Sequence, residues 1–243
     1  MVRVVRVVAL LWAGLLLAGC DNGSGAKSAA PLPPPTFGHG TISGTVTLKG
    51  EPPAMRAIDN GICGPGAKPI AEETVLVGAG GGLKNVVVSL RGAPASSGAA
   101  RAPVTLDQVD CRYVPHVLAV QVGQPVSVTT ADAVLHNVHA MAHENRAVNR
   151  SMPAGSAPQK LVLERPEVVP VRCDVHPWML AYVAAFDHPF FAVTGEDGRF
   201  AIKGVPDGDY TLAAWHEALG ELEQPVTVAN GELTSAAFVY EKP

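Results

Sequence analysis

Short apolar or alternating runs recur along the chain from residue 40 onward. The clearest are Thr41–Leu48, Asn85–Leu90, Phe190–Thr194 and Tyr210–Trp215. Alternation of apolar and polar residues places successive side chains on opposite faces of a half-buried strand. Turns rich in Gly, Pro and Asp separate the runs, and this pattern predicts an all-β fold built from sandwiches.

The middle of the chain continues the β pattern. Its three apolar runs are Val117–Val122, Pro125–Thr129 and Val168–Cys173. Only two segments are compatible with a helix, near Met141–Asn149 and near Ala218–Leu222, and both are short. We therefore expect strands almost throughout, with short helices confined to those two places.

Residues 1–19 are expected to be a lipoprotein signal peptide. Two arginines precede the apolar stretch Val7–Leu17, which is too short to span a bilayer comfortably. The stretch ends in Leu17-Ala18-Gly19-Cys20, which resembles the bacterial lipobox, in which the Cys becomes the acylated first residue. The resemblance implies export and a membrane anchor at Cys20, on the periplasmic or cell-surface side. An ordinary signal peptide with an incidental Cys is the alternative.

Residues 20–37 form a predicted flexible linker rich in Gly, Ser and Pro. The whole chain is 47% hydrophobic and 16% charged, with 25 Gly and 21 Pro, which indicates a turn-rich globular protein rather than a disordered one. The net charge of −4 and the lack of a basic patch give no reason to expect nucleic acid as a partner.

The strongest chemical signal is the segment Cys173–Met179, which has the pattern Cys-x2-His-x2-Met. His136 lies well upstream of it. A thiolate stabilises Cu(I), imidazoles suit both oxidation states, and a weakly bound thioether tunes the reduction potential. Zinc fits less well, because Met is a poor zinc ligand. The sequence thus predicts one copper ion that cycles between Cu(I) and Cu(II).

These residues resemble the cupredoxin family, most of all the amicyanins, which share the short His-Pro-aromatic-Met ligand loop. The segment His136-Asn137-Val138 is similar to the plastocyanins. The resemblance covers residues 104–186 and implies a Greek-key sandwich with a blue copper site. The ligands that it implies are His136, Cys173, His176 and Met179.

The same resemblance implies roles around the ligands. Asn137 is expected to bond across to the loop that carries Cys173. His176 is expected to expose a ring edge, and Pro177 and Trp178 to supply an apolar docking surface beside it. Small, dry contacts of this kind suit weak and rapid redox encounters.

The C-terminal runs resemble the carboxypeptidase regulatory-like, or transthyretin-like, β-sandwich. The residues that carry this resemblance are Thr194, Asp197–Phe200, Val205–Leu212 and, far upstream, Gly44–Val46. The upstream match implies a discontinuous sandwich made of residues 38–103 plus 187–243. The cupredoxin-like copper domain, residues 104–186, is then inserted in this sandwich or joined to it.

Three cysteines remain once Cys20 is set aside, which allows one disulfide and one free thiol. Cys111 and His116 also have a spacing compatible with a second metal site. We expect instead that Cys63 and Cys111 form a disulfide and that Cys173 stays reduced for copper. Such a disulfide contributes about 3–4 kcal/mol in the chain-entropy account.

Several histidines are left over, and together they leave room for a second metal site near the first. Each alone is more often a satisfied polar residue than a ligand, so we expect a single site. These spare histidines are His116, His139, His143, His188 and His216.

The features together predict a one-electron carrier rather than an enzyme, because no nucleophile triad, carboxylate pair or phosphate loop stands out. The expected partner is a redox protein of the cell envelope. Two alternatives stay open: a protein that handles or stores copper, and a non-redox binding or spacer module.

Overall fold

The computed structural model describes residues 33–34, 36–64, 67–96 and 101–242. These residues contain no α-helix and only two 3₁₀ turns, Gly61–Cys63 and Ala79–Gly81, so the predicted all-β class is confirmed. No helix in this part of the chain is long and apolar enough to cross a membrane. The predicted signal peptide, Cys20 and most of the linker lie outside the described residues.

Eighteen strands make up the described part of the chain. In order they are β1 (Gly40–Lys49), β2 (Ala57–Ile58), β3 (Ile70–Ala71), β4 (Val87–Arg91), β5 (Val104–Val109), β6 (Arg112–Val114), β7 (Val117–Gln121), β8 (Val126–Thr130), β9 (His136–Ala140), β10 (Val148–Met152), β11 (Gln159–Leu161), β12 (Glu167–Arg172), β13 (Leu180–Phe186), β14 (Phe191–Val193), β15 (Arg199–Val205), β16 (Gly208–His216), β17 (Gly220–Val228) and β18 (Leu233–Glu241).

One pair of sheets combines the first strands of the described chain with the last ones. The orders are β15-β1-β18 and β14-β4-β16-β17. β1 pairs in parallel with β18 and antiparallel with β15. Its alternating pattern buries Ile42, Val46 and Leu48, which join one apolar core with Phe200 and Phe238. We call this pair of sheets the flanking sandwich.

The strands between them form a second pair of sheets, with the orders β10-β9-β12-β13-β7 and β11-β8-β5-β6. Their facing sides enclose a separate apolar core that includes Leu106, Val128, Val171 and Cys173. We call this pair the central sandwich. The proposed domain boundaries at residues 103/104 and 186/187, and the transthyretin-like resemblance, stay predictions.

The two sandwiches pack against each other through strands that are buried on both faces. In β13, Ala181 and Val183 face the central core, whereas Tyr182 and Ala184 pack in a third apolar cluster between the sandwiches. β4 contributes Val87 to that cluster. This double burial explains why these strands read as continuous apolar runs rather than as alternating ones.

Both predicted helices are wrong. Residues 141–147 form a loop that leads into β10, and residues 217–219 form the turn between β16 and β17. β10 pairs along its whole length with β9, and β17 pairs with β16, so pairing with neighbouring strands overrides the weak helical pattern.

A small ribbon of β2 and β3 belongs to neither sandwich. The 3₁₀ turn that follows β2 carries Cys63, and the disulfide between Cys63 and Cys111 links this turn to the hairpin of β5 and β6. The predicted pairing is therefore present. Cys173 is a free, buried cysteine.

Candidate metal centre

The segment Cys173–Met179 is a tight loop that joins β12 to β13. The Cys173 N–H donates to the Met179 carbonyl (3.2 Å), and the Met179 N–H donates to the His176 carbonyl (2.9 Å). β9 pairs with β12, so its first residue, His136, lies beside the loop. Strand pairing thus unites residues that are far apart in sequence.

Three of the four predicted ligands converge at one point. The Nδ1 atoms of His136 and His176 lie 3.0 Å apart, and Cys173 Sγ lies 3.8 Å and 3.7 Å from them. All three side chains are at most 2% exposed. Two ring nitrogens and a thiol that face one another in a dry interior are donor atoms of the kind that bind copper.

Met179, the fourth predicted ligand, is 1% exposed and belongs to the same apolar core as Cys173. It ends the loop that carries the other two predicted ligands of this segment. Its thioether is therefore held close to the loop, in a position that water does not reach.

The electrostatics of the triangle favour an ionised thiol. Burial opposes ionisation of Cys173, but hydrogen bonds from His136 and from the backbone of Asn137, His176 and Val175 outweigh it and lower the pKa of Cys173. The pKa of His136 is raised, because hydrogen bonds with Cys173 and Asp132 outweigh the effect of burial.

The pKa of His176 is shifted the other way. Burial lowers it first, and the nearby positive charge of His136 lowers it further. The pKa values of the two rings are thus shifted in opposite directions, although both Nδ1 atoms face the same thiol.

Asp132 lies beside the triangle and was not predicted from the sequence. Its carboxylate accepts a hydrogen bond from His136 Nε2 at 2.9 Å, which fixes the ring with its Nδ1 atom towards Cys173. The residue is four positions before His136, a spacing that has no fixed meaning in a loop. No sequence signal therefore marked it.

Asn137 lies where the resemblance implied. Its side-chain oxygen accepts the backbone N–H of Asp174 at 2.5 Å, and its amide nitrogen donates to the Asp174 carboxylate at 2.8 Å and to Asn149 at 2.7 Å. These bonds tie β9 to the residue after Cys173, so they hold the loop against the strand.

Tyr113 is a second residue that the sequence analysis missed. It is 1% exposed, and its hydroxyl lies 2.6 Å from the Asn137 carbonyl and 3.1 Å from the Arg172 carbonyl. The amide nitrogen of Gln108 lies 3.3 Å from the same hydroxyl. Burial raises the pKa of Tyr113, so the hydroxyl keeps its proton and braces the strands below the loop.

One expectation is corrected by the structure: His176 does not expose a ring edge. It is 2% exposed, and the sulfurs of Cys63 and Cys111 lie within 4.8 Å of a ring nitrogen. The disulfide therefore lies next to the buried ring of His176. A disulfide between distant segments is not a local signal, so the ligand-loop pattern gave no sign of this contact.

The two predicted docking residues differ in exposure. Pro177 is exposed, whereas Trp178 is half-buried, with its ring centroid 5.4 Å from that of His176. The indole N–H donates to the Cys111 carbonyl at 3.0 Å, so Trp178 joins the ligand loop to the disulfide.

The five spare histidines do not join these clusters. In the described residues, every group of three or more His, Cys, Asp or Glu side chains close enough to share an ion includes His136 or His176 and no other histidine. His116 bonds Glu217, and His139 bonds Asp174 at 2.8 Å.

Searches against protein-family models and curated proteins give no match. Among solved structures, the chain is similar to a copper-containing nitrite reductase from Thermus scotoductus SA-01, at 20% identity and a TM-score of 0.33, over 40% of this chain and 24% of the reductase. The chain thus spans about a quarter of that protein.

Two smaller proteins are covered almost completely. A purple cupredoxin from Nitrosopumilus maritimus matches at 23% identity and a TM-score of 0.30, over 35% of this chain and 100% of its own. An amicyanin variant in its Cu(I) state matches at 22% identity and a TM-score of 0.32, over 41% of this chain and 98% of its own.

Proposed function

We propose that the chain is a copper protein that carries one electron at a time in the cell envelope. The observation that carries the proposal is the buried triangle of His136 Nδ1, His176 Nδ1 and Cys173 Sγ, with Met179 buried at the end of the same loop. Two imidazoles, a thiolate and a thioether are the donor set of a blue copper site. A bound copper ion would supply a reversible Cu(I)/Cu(II) couple.

The surroundings of the triangle support electron transfer rather than catalysis. Asp132 orients His136, and Asn137 fixes the loop, so the ligand positions are held before a metal binds. The four side chains are nearly inaccessible to water, which leaves little room for a substrate. Ligands that stay in place when the charge of the ion changes suit a carrier.

Loading the full chain with Cu(II) tests the proposal. We expect an intense visible absorption from thiolate-to-copper charge transfer and a matching EPR spectrum, both lost in Cys173→Ser. His139→Gln is the matched control, since His139 lies on the same strand but faces Asp174, and it should keep both spectra. A wild-type protein that binds Cu(II) without this absorption would contradict the proposal.

Pro177 and Trp178 are the proposed docking surface for a redox protein of the cell envelope. His176 itself is buried, but the half-buried indole of Trp178 lies next to the His176 ring and reaches the surface. Trp178→Lys should slow electron self-exchange, measured by NMR line broadening, by at least about tenfold through like-charge repulsion between copies. Val239→Lys changes an exposed apolar residue of the flanking sandwich and should leave the rate unchanged.

The membrane anchor belongs to the same proposal. Its support is the lipobox-like segment that ends at Cys20, followed by a linker long enough to lift the folded part from a membrane. Cys20→Ala should move the protein from the membrane fraction to the soluble fraction and remove the mass of the acyl chains. A wild-type protein without attached lipid would rule the anchor out.

A copper store is the second candidate, and the sulfur pair next to His176 favours it. Reversible redox cycling of the bound ion, measured by voltammetry, separates the two functions, because a store does not need it. The absence of reversible cycling would favour the store.

A further inference from the structure

The disulfide between Cys63 and Cys111 is part of the metal centre's surroundings rather than a remote staple. A ring nitrogen of His176 and both sulfurs all lie within 4.8 Å of one another, and Cys111 Sγ lies within the same distance of donor atoms of His136 and Asp132. Cys111 is fully buried, whereas Cys63 is partly exposed. Two sulfurs and an imidazole therefore lie together beside the triangle of His136, Cys173 and His176, which is the first site.

The backbone of Cys111 is held by bonds that do not depend on the disulfide. Cys111 and Asp110 form the two-residue turn between β5 and β6, both at φ +52°. The Asp132 carboxylate accepts both of their N–H groups, at 2.9 and 2.8 Å, and Trp178 donates to the Cys111 carbonyl. Cutting the disulfide thus leaves the sulfur of Cys111 beside the ligand loop.

Cys63 has a non-covalent attachment of its own. The buried Asn60 donates from its side chain to the Asp110 carbonyl at 3.1 Å and accepts the Cys63 N–H on its own carbonyl at 2.9 Å. These two bonds connect the turn that carries Cys63 to the hairpin tip. The Cα atoms of the two cysteines are 6.0 Å apart, so both thiols stay in reach of one ion.

We propose that Cys63 and Cys111, in their dithiol form, bind a Cu(I) ion together with His176. With metal–sulfur bonds of about 2.3 Å, three donors around one ion lie about 4 Å apart, within the spacing that the structure already gives. Rotation about the Cα–Cβ bonds separates the two sulfurs to that distance. Thiolates are soft donors that favour Cu(I), and a neutral imidazole completes a three-coordinate set.

The site opens by reduction with a dithiol protein or another dithiol reductant. Its thiolate attacks the partly exposed sulfur of Cys63, and Cys111 leaves as a thiolate that then takes up a proton. The second thiol of the reductant closes its own disulfide and frees Cys63. Two electrons and two protons have then passed to the cysteine pair, and Cu(I) displaces both protons when it binds.

This inference rests on the proposed function only in that His176 would serve both sites. The disulfide-closed protein would hold the carrier ion, whereas the dithiol protein would hold Cu(I) between the two cysteines and His176 in its place, because a neutral imidazole binds one ion at a time. The same chain would then change from electron carrier to copper holder according to the redox state of one cysteine pair.

The test uses the full chain with Cys173→Ser, so that the first site lacks its thiolate. Cu(I) is added without oxygen in the presence of bicinchoninate as competing chelator, before and after reduction with a phosphine. We expect the reduced protein to retain one Cu(I) per chain and the disulfide form to bind Cu(I) at least about 100-fold more weakly. Removing a residue that only hydrogen-bonds a metal ligand already lowers the metal affinity by up to about 100-fold, and here two ligands are removed.

Two further measurements identify the ligands. Adding Cys63→Ser to the Cys173→Ser chain should abolish the gain on reduction, although Cys111 remains. X-ray absorption of the reduced, loaded Cys173→Ser chain should show two sulfur neighbours and one nitrogen, and His176→Ala should remove the nitrogen.

Any of three results would overturn the inference: equal Cu(I) binding before and after reduction, retention in the Cys63→Ser chain, or loss of the β-sheet circular dichroism on reduction. Its failure is distinct from failure of the carrier proposal. The blue absorption is measured on the disulfide-closed wild type, and the Cu(I) gain is measured on a chain that cannot give that absorption.

Discussion

The central and flanking sandwiches each bury two histidines, and the four rings are used in opposite ways. In the central sandwich, His136 and His176 point their Nδ1 atoms at each other and at a thiol. On the flanking side, Nδ1 of His188 accepts the backbone N–H of Phe190 at 3.2 Å, and Nδ1 of His216 accepts those of the two residues that follow Glu217, at 3.2 and 3.3 Å.

The difference teaches that burial of a histidine says little about function, whereas the groups that its ring nitrogens face say much. A ring nitrogen that accepts a backbone N–H stabilises a turn and has nothing left for a metal. Two ring nitrogens that converge on a thiol satisfy none of these backbone needs. Such an arrangement suits the copper ion that we propose at the point between them.

Replacing one buried histidine of each sandwich with Asn should give the largest contrast in copper affinity. His136→Asn replaces a ring nitrogen of the proposed site with an amide group, which is a poorer copper ligand. We expect loss of the thiolate-to-copper absorption and a drop in Cu(II) affinity of at least about 100-fold. His216→Asn keeps an acceptor for the turn, so affinity should stay within about twofold while the free energy of unfolding falls by about 1 kcal/mol.

Competition with a chelator and urea unfolding measure the two quantities. If His216→Asn removed the absorption as well, the division between metal-binding and turn-forming histidines would be wrong.

Local patterns sufficed to predict part of this picture. The alternation in Thr41–Leu48 predicted β1 within a residue at each end, because one face of that strand is buried and the other is not. The spacing in Cys173–Met179 predicted that Cys173 and His176 come together, and the closed loop places them side by side, since a seven-residue loop has few ways to turn.

The rest depends on contacts between distant segments. The bond from Asp132 to His136, the Tyr113 hydroxyl below the loop, and the disulfide beside His176 all arise from strand pairing and packing. No spacing along the chain encodes them. The run near Val148 was misassigned to a helix for the same reason, because its partner strand β9 decided its conformation.

A smaller difference in Cu(II) affinity should separate two carboxylates near the centre. Asp132→Asn removes the charged acceptor of His136 and should weaken Cu(II) affinity by about 10–100-fold with the absorption band retained. Asp174→Asn is the matched control, because Asp174 is half-exposed and bonds Asn137 and His139 rather than a ligand. Chelator competition should show a clearly smaller change for it, and equal losses would show that Asp132 does not act through His136.

The smallest effect is a pH dependence that belongs to the flanking sandwich. Burial lowers the pKa of His216 from its ordinary 6.5; Glu217 opposes this shift and His116 adds to it. The unfolded chain therefore binds more protons than the folded one below pH 6.5, so the stability that neutral His216 provides is complete above that pH. It is lost as the pH falls from 6.5 through the lowered pKa of the folded state, at no more than about 1.4 kcal/mol per pH unit.

His216→Asn does not titrate in this range, and His136, His176 and His188 titrate in both proteins. In the metal-free, disulfide-closed proteins, the difference in unfolding free energy between wild type and variant should thus shrink from pH 7.5 to pH 5.5. A difference that stayed constant would show that the His216 ring is not held neutral by its surroundings, and the contrast between the two pairs of histidines would then rest on hydrogen-bond geometry alone.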